Sequence, residues 1–245
     1  MRPLPGILRQ IAALPASWNP CGPLGAEVLE HIATLAEARS IRCSVETGAG
    51  ASTLLLSHLS RRHIVFSTGV EGRLDAVAGS PLLKPGVVEF VEGPTQLTLP
   101  RFRFEAPLQL VLLDGPHAHP YPQLEYYWLY PHLAAGGLLI VDDIEIPTVH
   151  DLFRFLRDDA MFRLDSVVNR AAFFERTEAP TFHPLGDHWE QQAYNARRYP
   201  LDLDRDGNVR PALVRTLAHL VPGPLRAVTR GWPSRWLRKL SGDPP

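Results

Sequence analysis

Cysteine is scarce in this chain of 245 residues: only Cys21 and Cys43 are present. Two thiols do not make a disulfide framework, and their scarcity fits a reducing, cytoplasmic compartment. Cys43 alternates with Ile41 and Val45, as a small buried residue of a strand does. Long apolar runs are lacking too, so stable membrane insertion is not expected. The opening Met1-Arg-Pro-Leu-Pro-Gly6 has no continuous apolar stretch of the secretory type. Nor does one sign of charge dominate. Lys and Arg number 25 against 26 Asp and Glu, a net charge of −1. Nothing global therefore points to nucleic acid as a partner. An internal repeat, the mark of a solenoid or propeller, is also missing.

What the chain does have is hydrophobic content, 45% of residues, enough for one sizeable core with extensions. Proline, 24 residues in all, crowds the two ends. Residues 1–23 read as an irregular arm, residues 24–176 as one domain and residues 177–245 as an irregular extension holding Pro, Arg and Trp. Inside the domain, strand and helix signals alternate. Val28, Leu29, Ile32, Leu35 and Ala36 recur at helical spacing. Ile41–Val45, His63–Phe66, Val87–Val91, Leu108–Leu113 and Leu138–Val141 read as strands. The run Leu108–Leu113 is almost purely apolar, as a strand covered on both faces should be. Helices are expected at Ser52–Leu59, at Tyr121–Leu133 with Gly136-Gly137 as its C-cap, and after Pro147. Phe162–Val167 and Ala171–Phe174 read as a closing pair of strands. This alternation predicts an α/β fold: a Rossmann-like, doubly wound, three-layer αβα sheet, mostly parallel.

In open α/β sheets the ligand binds beyond the carboxyl ends of the strands. Glu46-Thr-Gly-Ala-Gly-Ala-Ser52 joins the first strand to its helix. Gly48 and Gly50 allow a sharp bend and close approach to a ligand that a Cβ would push away. The helix start offers free N–H groups. Acidic residues recur at the other strand ends: Glu92-Gly93 after the third, Asp114-Gly-Pro-His117-Ala-His119 after the fourth, and Asp142-Asp143 after the fifth. Each alone can be a helix or turn cap. Together at one edge they call for a cation or a polar ligand, because like charges repel.

Val45–Thr53, Leu112–His117 and Gly136–Asp143 together resemble the class I S-adenosylmethionine-dependent methyltransferases, in particular small ones with Asp-Gly-x-His after the fourth strand. The resemblance spans about residues 24–176. It implies a seven-stranded sheet with an antiparallel last strand. It also implies the cofactor S-adenosylmethionine, with its methionine part on Glu46, Gly48 and Gly50, Ser52 beside it and Asp114 at the same edge. Glu92 would lie near the adenine. An acid after the second strand usually holds the ribose; here that stretch reads Ser67-Thr-Gly-Val-Glu71, and Glu71 is a displaced substitute. By likeness to metal-dependent catechol-type O-methyltransferases, Asp114, Asp142 and Asp143 match a Mg²⁺ triad. His117 occupies the place of their catalytic lysine and is suited to act as a base near neutral pH. The implied activity is O-methylation of a small molecule or sugar hydroxyl, with a homo-oligomer left open.

Two other readings compete. In a nicotinamide-dependent oxidoreductase the corner reads G-x-G-x-x-G, but Thr53 stands where the third glycine belongs. A non-catalytic binding module of the same fold is the second. Tyr121, Tyr126, Tyr127, Trp128 and Tyr130 line either an acceptor pocket or, as the more frequent use of such spacing, the core. Asp202-Leu-Asp-Arg-Asp-Gly207 opens like a calcium loop, but Leu213 replaces the closing Glu, so an Asp-rich turn is expected. Between Val221 and Pro245 five cations face Asp243, with Trp232 and Trp236 interleaved and prolines interrupting any long helix.

Overall fold

The structure, a computed structural model, describes residues 4–15, 18, 24–69, 73–181 and 192–196. The chain order is α1 (Leu4–Ala12), α2 (Ala26–Arg39), β1 (Cys43–Thr47), α3 (Ala51–Leu59), β2 (Arg62–Ser67), α4 (Arg73–Ala78), β3 (Val88–Glu92), α5 (Thr95–Thr98), β4 (Leu108–Leu113), α6 (Tyr121–Leu129), β5 (Leu133–Val141), α7 (Pro147–Asp158), β6 (Phe162–Val168) and β7 (Ala171–Arg176). Short 3₁₀ turns follow α5 and α6.

The seven strands form one sheet in the order β3-β2-β1-β4-β5-β7-β6. Pairing is parallel from β3 to β5, and β7 runs antiparallel to both neighbours. The Rossmann-like, mostly parallel sheet expected from the strand pattern is therefore present. Alternation along each strand splits the apolar side chains between two faces. Val65, Leu110, Leu112 and Ile140 pack under α1–α4, while Val45, Phe66, Val111 and Val141 pack under α6 and α7. Helix α7 explains itself: Val149, Leu152, Phe153 and Leu156 are its buried residues, one stripe at i, i+3, i+4 and i+7.

Three local expectations change. Residues 4–12 are helical, because Ile7 and Ile11 lie one turn apart and both bury against the core. Helix α6 stops at Leu129, since Pro131 has no N–H to continue it, and a 3₁₀ turn over Tyr130–His132 follows. Gly136 and Gly137 are consequently not a C-cap; they lie inside β5, beside a register irregularity between β4 and β5. The aromatic group divides as well. Tyr126 is buried and stacks on Tyr130 with ring centroids 4.9 Å apart, whereas Tyr127 and Trp128 are exposed.

The topology reverses between β1 and β4, and the ladder there runs one residue past each strand. Gly48 N donates to Phe66 O at 2.9 Å, Asp114 N to Thr47 O at 3.2 Å and Asp142 N to Leu113 O at 3.1 Å. Gly48, Asp114 and Asp142 thus stand side by side at the carboxyl edge. Strand β6 ends at the same edge. Its two-residue turn to β7 uses Asn169 at φ 52°, a residue that tolerates left-handed backbone, and sets Arg170 there.

Candidate active site

The glycine corner is fastened from below. Glu46 lies on the face of β1 covered by α3 and is 1% exposed. Its Oε1 accepts from the Thr53 hydroxyl and from His63 Nε2 at 3.2 Å. Thr53 in turn accepts the Gly50 N–H at 3.0 Å. The residue that breaks the dinucleotide pattern is therefore what ties the loop to the strand. Glu46 Oε2 is buried with no hydrogen-bond partner among the described residues.

Gly48 has φ +92°, and a Cβ there would stand 2.3 Å from the carbonyl oxygen of Asp114. Gly48 is fixed as a glycine by this packing. Its missing side chain is required first by the neighbouring strand end. Gly50, at φ 178°, is in extended backbone that any residue adopts. Ser52 is buried in the first turn of α3.

At the β3 end Glu92 reaches toward β2: its Oε1 lies 2.7 Å from where a Gly69 Cβ would be. Glu71 falls outside the described residues, as do Cys21, Asp202–Gly207 and the basic, Trp-containing segment.

The β4 and β5 ends meet over His117. His117 Nε2 lies 3.5 Å from Asp143 Oδ2 and 3.9 Å from Asp114 Oδ1. Asp143 takes φ 54°, a left-handed backbone that Asp accommodates. Arg170 Nη1 sits 3.2 Å from Asp143 Oδ1 and 3.2 Å from Glu145 Oε1. Asp114, His117 and Asp143 offer ligand atoms that all lie within 4.8 Å of one another. Asp142 is not in that group. It is 6% exposed, and burial pushes its carboxyl above the usual range. The grouping that forms is thus one His and two carboxylates, rather than the three carboxylates of the sequence reading.

Sequence inspection passed over Glu125. It lies on α6, 2% exposed, and accepts from Thr47 Oγ1 at 2.9 Å. Its Oε1 is 2.3 Å from where a Gly115 Cβ would be, so Gly115 is a glycine because Glu125 lies against it. Thr47 also accepts the Asp114 N–H at 3.2 Å, which links Glu125 to the β4 loop. Burial lifts the Glu125 carboxyl to about 7. The one available signal was an acid inside an otherwise apolar helix face.

A mainly apolar cleft of about 780 Å³ opens between α1 and α2 and reaches Ala51, the residue after Gly50. Leu8, Ile11, Trp18, Leu24 and Leu29 line it, with Arg9, Glu30 and Glu37 among the polar lining residues.

The sheet order, the switch between β1 and β4 and the row of strand-end residues define the class I methyltransferase fold. Residues 45–144 match the family model of a methyltransferase domain. Solved structures agree on the fold. One is the O-methyltransferase TomG of Streptomyces achromogenes, involved in tomaymycin synthesis and solved with SAM. It is 17% identical with a TM-score of 0.56, over 70% of this chain and 89% of that one. The O-methyltransferase of Bacillus cereus, solved with SAH, is 13% identical with a TM-score of 0.57, over 71% and 90%. No curated relative matches the sequence.

Proposed function

We propose that the chain transfers the methyl group of S-adenosylmethionine to a hydroxyl of a small molecule. The observation that carries this reading is the row Gly48–Asp114–Asp142 at the topological switch point, inside the segment that matches a methyltransferase domain. The residues fit the cofactor. Glu46 Oε2 is a buried acceptor without a partner among the described residues, suited to an ammonium group, and the start of α3 carries free N–H groups. Glu92, which reaches across to the β2 end, takes the place of the acid missing there and would accept from the ribose hydroxyls. The nicotinamide alternative is not favoured: Thr53 fills the third glycine position and is engaged with Glu46.

The cofactor, when bound, supplies a methyl group already activated on sulfur. The chain must then orient the acceptor and take its proton. His117 is the base of this reading. A proton taken on Nε2 would give an imidazolium facing the carboxylates of Asp114 and Asp143. Arg170 holds Asp143 in place. The cleft at α1 and α2 would receive an acceptor with a sizeable apolar body. Incubation of the protein with labelled S-adenosylmethionine and a panel of apolar phenols and alcohols tests the reading. Label in product, lost in His117→Ala, supports it; cofactor binding without transfer to any hydroxyl overturns O-methylation.

A second reading adds a metal, because Asp114, His117 and Asp143 converge. Mg²⁺ prefers all-oxygen sets, so the histidine favours a first-row transition ion over Mg²⁺. Any ion there shares Asp143 with Arg170. Chelation separates the two: activity lost on chelation and restored by Mn²⁺ or Mg²⁺ supports the metal, while unchanged activity removes it.

A further inference from the structure

Under the glycine corner runs a chain of polar side chains that the chemistry above does not use. Ser44 and Glu46 alternate onto one face of β1, and His63 on β2 is the register partner of Ser44. Helix α3 covers them with Thr53, and Ser60 follows its end. These five residues are each at most 3% exposed. Ser60 Oγ lies 2.6 Å from Ser44 Oγ, Ser44 Oγ 2.7 Å from His63 Nδ1, and His63 Nε2 3.2 Å from Glu46 Oε1. One placement of hydrogens satisfies all of them. A carboxylate only accepts, so Nε2 carries the ring hydrogen; Nδ1 then accepts from Ser44, and Ser44 accepts from Ser60. Burial of such groups is unfavourable unless each is paired. Val65, Leu54 and Leu55, on the same side of the sheet, pack there as ordinary apolar residues. Through this chain and through Thr53, one oxygen of Glu46 is engaged, and the other has no hydrogen-bond partner among the described residues.

We propose that His63 is a positioning residue for the cofactor. Its Nε2–H holds Glu46 by Oε1, so that Oε2 is presented to the ammonium group of the methionine part. The Glu46 carboxylate fixes the ring tautomer, and Ser44, backed by Ser60, donates to the other ring nitrogen. The proposal rests on the assignment of Glu46 to that ammonium group, made above. It goes beyond it by naming a residue from another strand, with no ligand contact of its own, that governs the affinity.

Titration calorimetry with S-adenosylhomocysteine on the full chain tests it, using His63→Phe, His63→Gln, Glu46→Gln and the double variant His63→Phe/Glu46→Gln. His63→Phe is expected to weaken Kd about tenfold, the size of one hydrogen bond to a charged group. His63→Gln, which keeps a donor, should recover most of that loss. The double variant should bind no more weakly than Glu46→Gln alone, because both changes remove one interaction. Additive losses, or wild-type affinity in His63→Phe beside a weakened Glu46→Gln, overturn the role of His63 and leave Glu46 in the site. Wild-type affinity in Glu46→Gln overturns the Glu46 assignment itself. Should circular dichroism show that His63→Phe does not fold, Ser44→Ala enters the same cycle in its place.

Discussion

A single missing atom explains the most demanding position in the site. Gly48 meets the Asp114 carbonyl, and its φ of +92° is closed to side chains. Gly48→Ala is therefore expected to lower unfolding stability by about 2–4 kcal/mol, from backbone strain plus the clash. Chemical denaturation measures it, and the loss should appear without any cofactor present. Glu125 offers a contrasting case, where the constraint is a charge. Burial raises its carboxyl from the ordinary 4.5 to about 7. A raised acid stabilises the fold below pH 4.5, and that contribution is lost as pH rises through about 7. The shift corresponds to roughly 3 kcal/mol. Asp142 and Asp159 are shifted in the same direction, so the wild-type profile alone does not isolate Glu125. Denaturation midpoints of Glu125→Gln at pH 5 and pH 8 should differ less than those of wild type; an equal fall in both would remove Glu125 as the cause. For His117, the proposed base, His117→Ala should reduce turnover by about 10²–10⁴-fold while Kd for S-adenosylhomocysteine stays unchanged.

The proposed chemistry rests on strand ends and turns rather than on whole helices. The parallel ladder extends one residue beyond β1, β4 and β5, and this aligns three residues that are far apart in the chain. The hairpin between β6 and β7 adds a residue from the far side of the domain, because the antiparallel β7 returns the chain to β5. Arg170 reaches Asp143 only through that return. Arg170→Ala leaves Asp143 without its fixed cation. In a metal-free site it should lower turnover, since Asp143 would no longer be held against His117. In a metal-bound site it should tighten metal affinity, because one competitor for Asp143 is gone. Titration of Mn²⁺ against Arg170→Ala and wild type, read by calorimetry beside the activity assay, distinguishes the two. Thr53 shows the same economy in a helix: an N-terminal residue of α3 locks both the loop before it and the strand below it.

The full chain should respond to its cofactor as a folded receptor does. A ligand that binds only the native state stabilises it by about 2.7 kcal/mol at a hundred times its Kd. For a domain of this size that amounts to a rise in Tm of about 5–10 °C. Thermal scans with S-adenosylhomocysteine and with NADH are the comparison: a rise with the first alone supports the methyltransferase reading, and a rise with NADH alone overturns it. Among the described residues no helix is long and apolar enough to cross a membrane. The cleft between α1 and α2 predicts that acceptors with an apolar body bind better than small polar alcohols, a ranking that competition against labelled methyl transfer measures.

The order of elements was legible in the chain because it depends on local periodicity. Apolar runs such as Leu108–Leu113 and stripes such as Val149–Leu156 announce strand or helix by themselves. The glycine corner and the acids after the strands were legible for the same reason, since each directly follows an apolar run. Pairing was not. Which carboxylates converge depends on strand register and on one left-handed residue, Asp143, and these put His117 in the group and left Asp142 outside it. The chain shows that Gly48 permits a sharp bend and close approach, while packing shows that the Asp114 carbonyl makes one such approach. Ser44 and His63 look unremarkable 19 residues apart, and Glu125 looks like any helix acid. Their roles arise from burial beside particular partners, which contacts between distant segments create and which no local pattern encodes.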